Sequence, residues 1–185
     1  MDTILQENHR ISGTGKSVLL GMSGGVDSAA AASLLQRAGY RVVSLTLRTL
    51  IDGDYERAAE VARSLAIEHI EIDAVDDFHH DVIAPFINSW RVGETPNPCV
   101  FCNRAFKFQR LAAEADRLGC DYIATGHYAR LIGEPPHRYL LRAKDRKRDQ
   151  SYFLYRLPRA MLDRTLLPLG NYTNVQVRTI VASFD

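Results

Sequence analysis

Ser17-Val-Leu-Leu-Gly-Met22, running directly into Ser23-Gly-Gly-Val-Asp-Ser28, decides the fold. The first six residues form a short, nearly all-apolar run. That is the pattern of a strand covered on both faces in a parallel sheet. The next six make a glycine-rich turn. Ala29 to Gly39 is rich in alanine and leucine and closes on a glycine, which predicts a helix with a glycine stop.

The same alternation continues outward. Arg41–Leu47 predicts a second strand, Asp54–Ala66 a helix with Ala58, Ala59, Val61, Ala62 and Leu65 at helical spacing, and Glu68–Ala74 a third strand. Val75–Trp90 predicts a helix kinked at Pro85. Thr95-Pro96-Asn97-Pro98 predicts a rigid, non-helical loop. Asn103–Leu118 predicts a helix ended by Gly119, and Asp121–Thr125 a fourth strand leading into Gly126-His127-Tyr128. Beyond Ile132 the pattern loosens into a turn (GEPPH), a strand (RYLLRA), a charged loop (KDRKRDQ) and two short helices near Ser151–Arg156 and Asn174–Ala182. This order predicts an α/β fold with a doubly wound parallel sheet, whose ligands bind beyond the carboxyl ends of the strands.

A chain of 185 residues predicts one domain, read here as a 1–16 extension and a 17–185 domain with a basic segment from about 133. With 46% hydrophobic residues the chain is not disordered, and no run reaches the roughly 18 apolar residues of a membrane span. Met1–Arg10 lacks a basic start followed by an apolar stretch, so no signal peptide is expected. Three cysteines, an odd count, argue against a disulfide framework and for the reducing cytoplasm. The net charge of +1 averages two unlike stretches. Residues 49–81 hold ten acids and two bases, and residues 138–164 hold nine bases and three acids. The second stretch suits contact with phosphates.

Gly13-Thr14-Gly15-Lys16-Ser17 ends like a Walker A loop but opens a strand rather than a helix, and Arg10 stands where the pattern needs its first glycine. Ser23–Ser28 has the right context. Gly24 and Gly25 let the backbone approach an anion, and the helix N-terminus supplies free N–H groups. Ser23 and Ser28 add hydroxyls, and Asp27 can cap the helix or hold magnesium. The alternative is an ordinary turn with an Asp/Ser cap.

Cys99 and Cys102 are three apart, so they share a face if a helix has begun there. A thiol in a helix's first turn has a lowered pKa. A sulfur-carrying dithiol, half of a zinc or iron–sulfur site, and plain packing remain open for the pair. Cys120 begins strand four, at the opposite edge of the sheet, and reads as structural. His127 lies just past strand four, where a general base, a substrate contact or a backbone bond are the options. His79 and His80 read as a solvated face, and His69 as structural.

GMSGGVDS, GETPNPCVFCNRAFKF, DYIATGHYAR and RDQSYFLYRL arrive in that order. Together they resemble the N-terminal domain of bacterial tRNA-specific 2-thiouridylases, the MnmA family, from about Ser17 to about Ser183. The first motif resembles the PP-loop of ATP-pyrophosphatases, with the adenine nucleotide alpha hydrolase-like fold. The resemblance implies cleavage of ATP between its α and β phosphates, with Mg2+, and transfer of AMP to a carbonyl oxygen. It implies that Gly21, Met22, Ser23, Gly24, Gly25, Val26, Asp27 and Ser28 bind ATP, with Leu47 and Gly126 beside the adenosine. Cys102 would act at the activated base, with Asn97, Pro98 and Cys99 bordering the target uridine. His127, Arg148, Asp149 and Gln150 would contact tRNA. The implied reaction is 2-thiolation of the wobble uridine with persulfide sulfur from a cysteine desulfurase or sulfur-relay protein.

The chain departs from the family at several points. Cys99 stands where the family often has aspartate, and Arg148 where lysine is common. The loop after strand two is short. Family members continue into a tRNA-binding region and a β-barrel, and carry a second catalytic cysteine beyond the position of Asp185. The expectation is that Cys99 takes that partner role, with an iron–sulfur cluster on Cys99 and Cys102 as the less favoured rival. Two other functions stay open: thiolation of a small nucleotide or nucleobase, and a non-catalytic sulfur-relay or nucleotide-binding module.

Overall fold

The computed structural model describes residues 13–51 and 55–182; most of the expected 1–16 extension lies outside them. Strand β1 (Ser17–Gly21) leads through the glycine turn into α1 (Val26–Arg37), then β2 (Arg41–Arg48), α2 (Glu56–Ser64) and β3 (Glu68–Asp73). After a long helical stretch come β4 (Tyr122–Thr125) and, later, β7 (Thr165–Leu166). These five strands form one sheet in the order β3-β2-β1-β4-β7, and each neighbouring pair is parallel. The direction of winding reverses between β1 and β4, so the ligand crevice of such a sheet belongs there.

Both faces of β1 are covered, which explains its unbroken apolar run. Val18 and Leu20 join Ala30, Ala31 and Leu35 of α1 in one core, with Val177 from α8 (Asn174–Val181). Leu19, between them, points into the other core with Phe108 and Leu111 of α6 (Phe108–Arg117). The alanine face of α1 lets that helix lie close to the sheet.

Several boundaries differ from expectation. Helix α1 begins at Val26 rather than Ala29, directly on the turn that Gly25 terminates. The helix over Val75–Trp90 is a short α3 (Val75–Phe78), one π-helical turn (His79–Ile83) and α4 (Ala84–Arg91). Pro85 sits in the first turn of α4, directly after the π-helical turn, where the helix changes its hydrogen-bond register. Pro98 is not in a loop; it opens α5 (Pro98–Cys102), capped by the Asn97 side chain, which accepts from the Cys99 and Val100 amides at 3.1 and 3.2 Å. A second π-helical turn, Asn103–Lys107, joins α5 to α6.

Three elements were not anticipated: β5 (Ala129–Ile132), which pairs antiparallel with β6 (Tyr139–Arg142), α7 (Arg159–Asp163), and β7 itself. The basic region is tied back onto the sheet, because Arg138 donates to the Thr165 carbonyl at 2.8 Å. No helix among the described residues is long and apolar enough to cross a membrane.

Candidate functional site

A cavity of about 520 Å³ opens at the carboxyl ends of β1, β2 and β4. Gly21 to Ser23, Asp27 and Ser28 come to it from the first strand–turn–helix unit, Leu47 from β2, and Gly126 and His127 from the turn after β4. Cys102, Phe106 and Lys107 form a further wall, and Gln150 reaches in from the basic region. The Walker-like Gly13–Ser17 stretch lies at the other end of β1, where Lys16 bonds the Tyr122 hydroxyl at 3.1 Å.

The glycine turn is shaped for close approach. Gly24 has φ +73°, and a Cβ there would stand 2.8 Å from the Ala58 nitrogen at the start of α2. A Cβ on Gly126 would meet the Asp27 and Ser28 backbone at 3.2 Å. The amides of Gly24 to Asp27 have no hydrogen-bond partner among the described residues, leaving a set of donors at the N-terminus of α1. Such a set suits an anion. Ser28 is turned inward instead: its hydroxyl donates to the Gly25 carbonyl at 2.9 Å and accepts from the Ser23 amide at 3.3 Å, bracing the turn.

Asp27 does not cap α1, whose N-cap is Gly25. Its carboxylate accepts from the Tyr128 hydroxyl at 2.7 Å, and Asn174 donates to that same hydroxyl at 3.2 Å. Burial pushes the Tyr128 phenol up to about 12, and the bond to Asp27 adds to the shift, so the phenol keeps its proton. Among the described residues Asp27 is the one carboxylate lining the cavity and Lys107 the one ammonium. No three His, Cys, Asp or Glu side chains gather as a metal site among the described residues. The carboxylate of Asp27 beside a row of amide donors fits a magnesium-bound phosphate, in which the phosphate supplies the other oxygens.

Burial drives the His127 pKa down to about 3, with the Lys107 ammonium adding to the effect. The ring stacks on Phe108, centroids 6.1 Å apart, and its Nδ1 bonds the Thr125 hydroxyl at 2.8 Å. It is therefore a neutral imidazole at neutral pH and brings no positive charge to a phosphate.

The two cysteines occupy unlike surroundings. Cys102 lines the cavity; Cys99 is exposed and does not. The expected first-turn lowering of the thiol pKa does not reach Cys102. The helix opens at Pro98, which makes Cys102 its fifth residue, and burial raises the thiol against the opposing pull of Lys107. Cys120 is buried in the core, as its position at the far edge predicted.

Of the remaining predicted contacts, Asn97 and Pro98 are exposed at the start of α5, and Arg148 is exposed. Asp149 faces inward and accepts from the Ala143 amide at 2.7 Å and the Ser151 hydroxyl at 2.9 Å. Gln150 accepts from the Tyr128 amide at 2.9 Å, fixing the turn that carries His127. Lys107 went unnoticed in the sequence. Its signal was a lysine five residues after Cys102 in the same motif, but α-helical spacing does not align the two; the π-helical turn brings Lys107 to the cavity.

Residues 16–185 match the family described as the tRNA methyl transferase HUP domain. The tRNA-specific 2-thiouridylase MnmA 3 of Bacteroides fragilis is 48% identical over 163 residues, covering 88% of this chain and 45% of that protein. The tRNA-specific 2-thiouridylase MnmA of Moorella thermoacetica is 45% identical over 182 residues, covering 90% and 51%. The chain thus spans about half the length of the curated relatives it matches. Among solved structures, a predicted tRNA methyltransferase subunit from Methanocaldococcus jannaschii superposes with TM-score 0.58 at 18% identity, over 91% of this chain and 76% of that one. The NH3-dependent NAD synthetase of Campylobacter jejuni gives TM-score 0.55 at 18% identity, over 98% and 69%. These two share the doubly wound PP-loop fold.

Proposed function

Because the chain belongs to the family of the tRNA methyl transferase HUP domain, we propose that it is an ATP-dependent sulfurtransferase acting on a uridine of tRNA. The observation that supports this reading is that Ser23, Asp27 and Ser28 of the glycine turn and the thiol of Cys102 line one cavity, while Gly24, Gly25 and Val26 shape the turn without lining it.

In the proposed reaction the O2 oxygen of the uridine attacks the α-phosphorus of ATP, and pyrophosphate leaves. The free amides at the start of α1 hold the phosphates, and Lys107 balances charge at the α-phosphate. Asp27 would hold magnesium, which supplies charge neutralisation on the triphosphate. Leu47 and Gly126 flank the adenosine. A persulfide sulfur then adds at C2 of the adenylated base, and AMP departs with the original oxygen. Cleavage of the sulfur–sulfur bond by the second thiol leaves a Cys99–Cys102 disulfide, which an external thiol reduces. Cys102 is the cavity thiol in this scheme and Cys99 its partner, on their spacing of three along α5. A cysteine desulfurase or a relay protein supplies the sulfur, and the neutral His127 contacts the base rather than a phosphate.

The test is incubation with ATP, magnesium, a cysteine desulfurase and cysteine, offering bulk tRNA and free nucleotides separately. Mass spectrometry should find 2-thiouridine in tRNA, with AMP formed in step. A thiolated free nucleotide with unmodified tRNA would transfer the activity to a small molecule. No AMP and no sulfur incorporation with either acceptor would remove the enzymatic reading.

A further inference from the structure

A second cavity, about 340 Å³, lies beside the first. The same two segments border both. From α5, Cys102 faces the first cavity while Asn97, Val100 and Phe101 face the second. From the basic region, Gln150 faces the first while Tyr152, Tyr155 and Arg156 face the second. The two segments are joined directly, because the Asn103 side-chain amide donates to the Phe153 carbonyl at 3.2 Å. The distance between the cavities is therefore set by packed structure.

The second cavity exposes unusual apolar area. Tyr152 is 60% exposed, Tyr155 59% and Phe101 39%. The two tyrosine rings lie 5.5 Å apart at 31°. A folded chain gains nothing by holding three aromatic rings half in water, so such a group marks a binding surface. The stretch that carries the tyrosines, residues 138–164, has nine bases against three acids. Glu94 is the one carboxylate lining the cavity, opposite in sign to Arg156. Flat exposed rings beside one guanidinium, Arg156, match single-stranded nucleic acid, whose unpaired bases stack on aromatics while a phosphate meets a cation.

We propose that this second cavity takes a base of a nucleotide adjoining the target uridine, stacked on the Tyr152–Tyr155 pair, so that the substrate is a single strand of RNA rather than a free nucleotide. The proposal rests on the function proposed above and narrows its acceptor. A free nucleotide would fill the first cavity and leave the aromatic platform idle. A strand engages both cavities, and the platform then helps to hold the target base at Cys102.

The test compares the full chain with its Tyr152→Ala/Tyr155→Ala double variant. Affinities are measured for a seven-nucleotide RNA with a central uridine, for uridine monophosphate and for ATP. Loss of one stacked base should weaken RNA binding by about five- to a hundred-fold. Uridine monophosphate and ATP binding should be unchanged, the latter showing that the fold is intact. The Tyr152→Phe/Tyr155→Phe variant should bind RNA like the parent. Equal RNA affinity in parent and alanine variant overturns the proposal and leaves the groove to a protein partner. Equal loss for RNA and mononucleotide overturns it too, because the rings would then serve the first cavity. A parent chain that binds ATP and uridine monophosphate but no RNA removes the tRNA reading as well, which separates the two failures.

Discussion

Tyr128 donates its hydroxyl hydrogen to Asp27 at 2.7 Å across 101 positions of the chain. The bond joins the turn after β4 to the first turn of α1, across the place where the sheet reverses its winding. Asn174 of α8 completes the group by donating to the same hydroxyl. Three elements distant in sequence therefore hold one carboxylate at the mouth of the cavity.

Tyr128→Phe removes that hydroxyl and leaves the half-buried carboxylate of Asp27 and amide of Asn174 each short of a partner. A loss of about 1–3 kcal/mol in stability follows from such an unpaired group. The KM for ATP should rise as Asp27 loses its fixed orientation. Urea denaturation and ATP-dependent AMP release check the two effects, and an unchanged KM would mean that Asp27 does not serve the nucleotide.

Gly24→Ala places a methyl 2.8 Å from the Ala58 nitrogen, on a backbone with φ +73°. Backbone cannot yield as a flexible side chain can, so the turn must shift away from α2. Left-handed strain alone costs about 1–2 kcal/mol per residue. Isothermal titration should show ATP affinity reduced at least about ten-fold. Gly15→Ala, at a turn with open space around it, is the control for positive φ alone, and it should leave ATP binding intact.

His127 has a folded-state pKa of about 3 against an ordinary value of 6.5. Between those values the unfolded chain takes up a proton that the folded chain refuses. This contribution to stability is therefore complete above about pH 6.5 and shrinks as the pH falls towards 3. Urea midpoints should drop between pH 7.5 and 5.0, and drop less in His127→Gln. In proton NMR the ring signals should stay flat from pH 5 to 8; a midpoint near 6.5 would contradict the burial argument.

Cys102 is a thiol raised by burial, so its thiolate is scarce at neutral pH and increases about ten-fold per pH unit below its pKa. Iodoacetamide should label exposed Cys99 before Cys102, and Cys102 labelling should accelerate as pH rises. Lys107→Met removes the ammonium that lowers both neighbours, so it should raise the pKa of Cys102 and of His127 together. Slower alkylation of Cys102 at fixed pH, read by peptide mass spectrometry, is the expected outcome.

The strand–turn–helix at Ser17–Arg37 was readable because every signal in it is local: an apolar run, two glycines and an alanine-rich stretch. Elements whose partner is remote were not. Thr165–Leu166 is too short to show any period, and is a strand only because Ile123 and Ala124 present a free edge to it. The start of α5 at Pro98 was available in principle, since asparagine before proline is a cap followed by a tolerated first helical residue. The loop reading of two closely spaced prolines obscured it. The carboxyl ends of β1 and β4 were legible as the edge where a cavity opens, but which side chains face that edge was a separate matter.

The sequence by itself determined the parallel, doubly wound sheet, the glycine turn between β1 and α1 and the spacing of three between Cys99 and Cys102, because periodicity, glycine placement and helical spacing operate within a few residues. Only the tertiary structure decided the character of the site. Burial and charge depend on what packs nearby from elsewhere in the chain. Those neighbours keep His127 neutral and raise the Cys102 thiol. They also commit Asp149 to bracing its own loop and bring Lys107 to the cavity. The hydrogen bond from Asn103 to Phe153 sets a tyrosine pair beside α5, a juxtaposition that no local pattern contains.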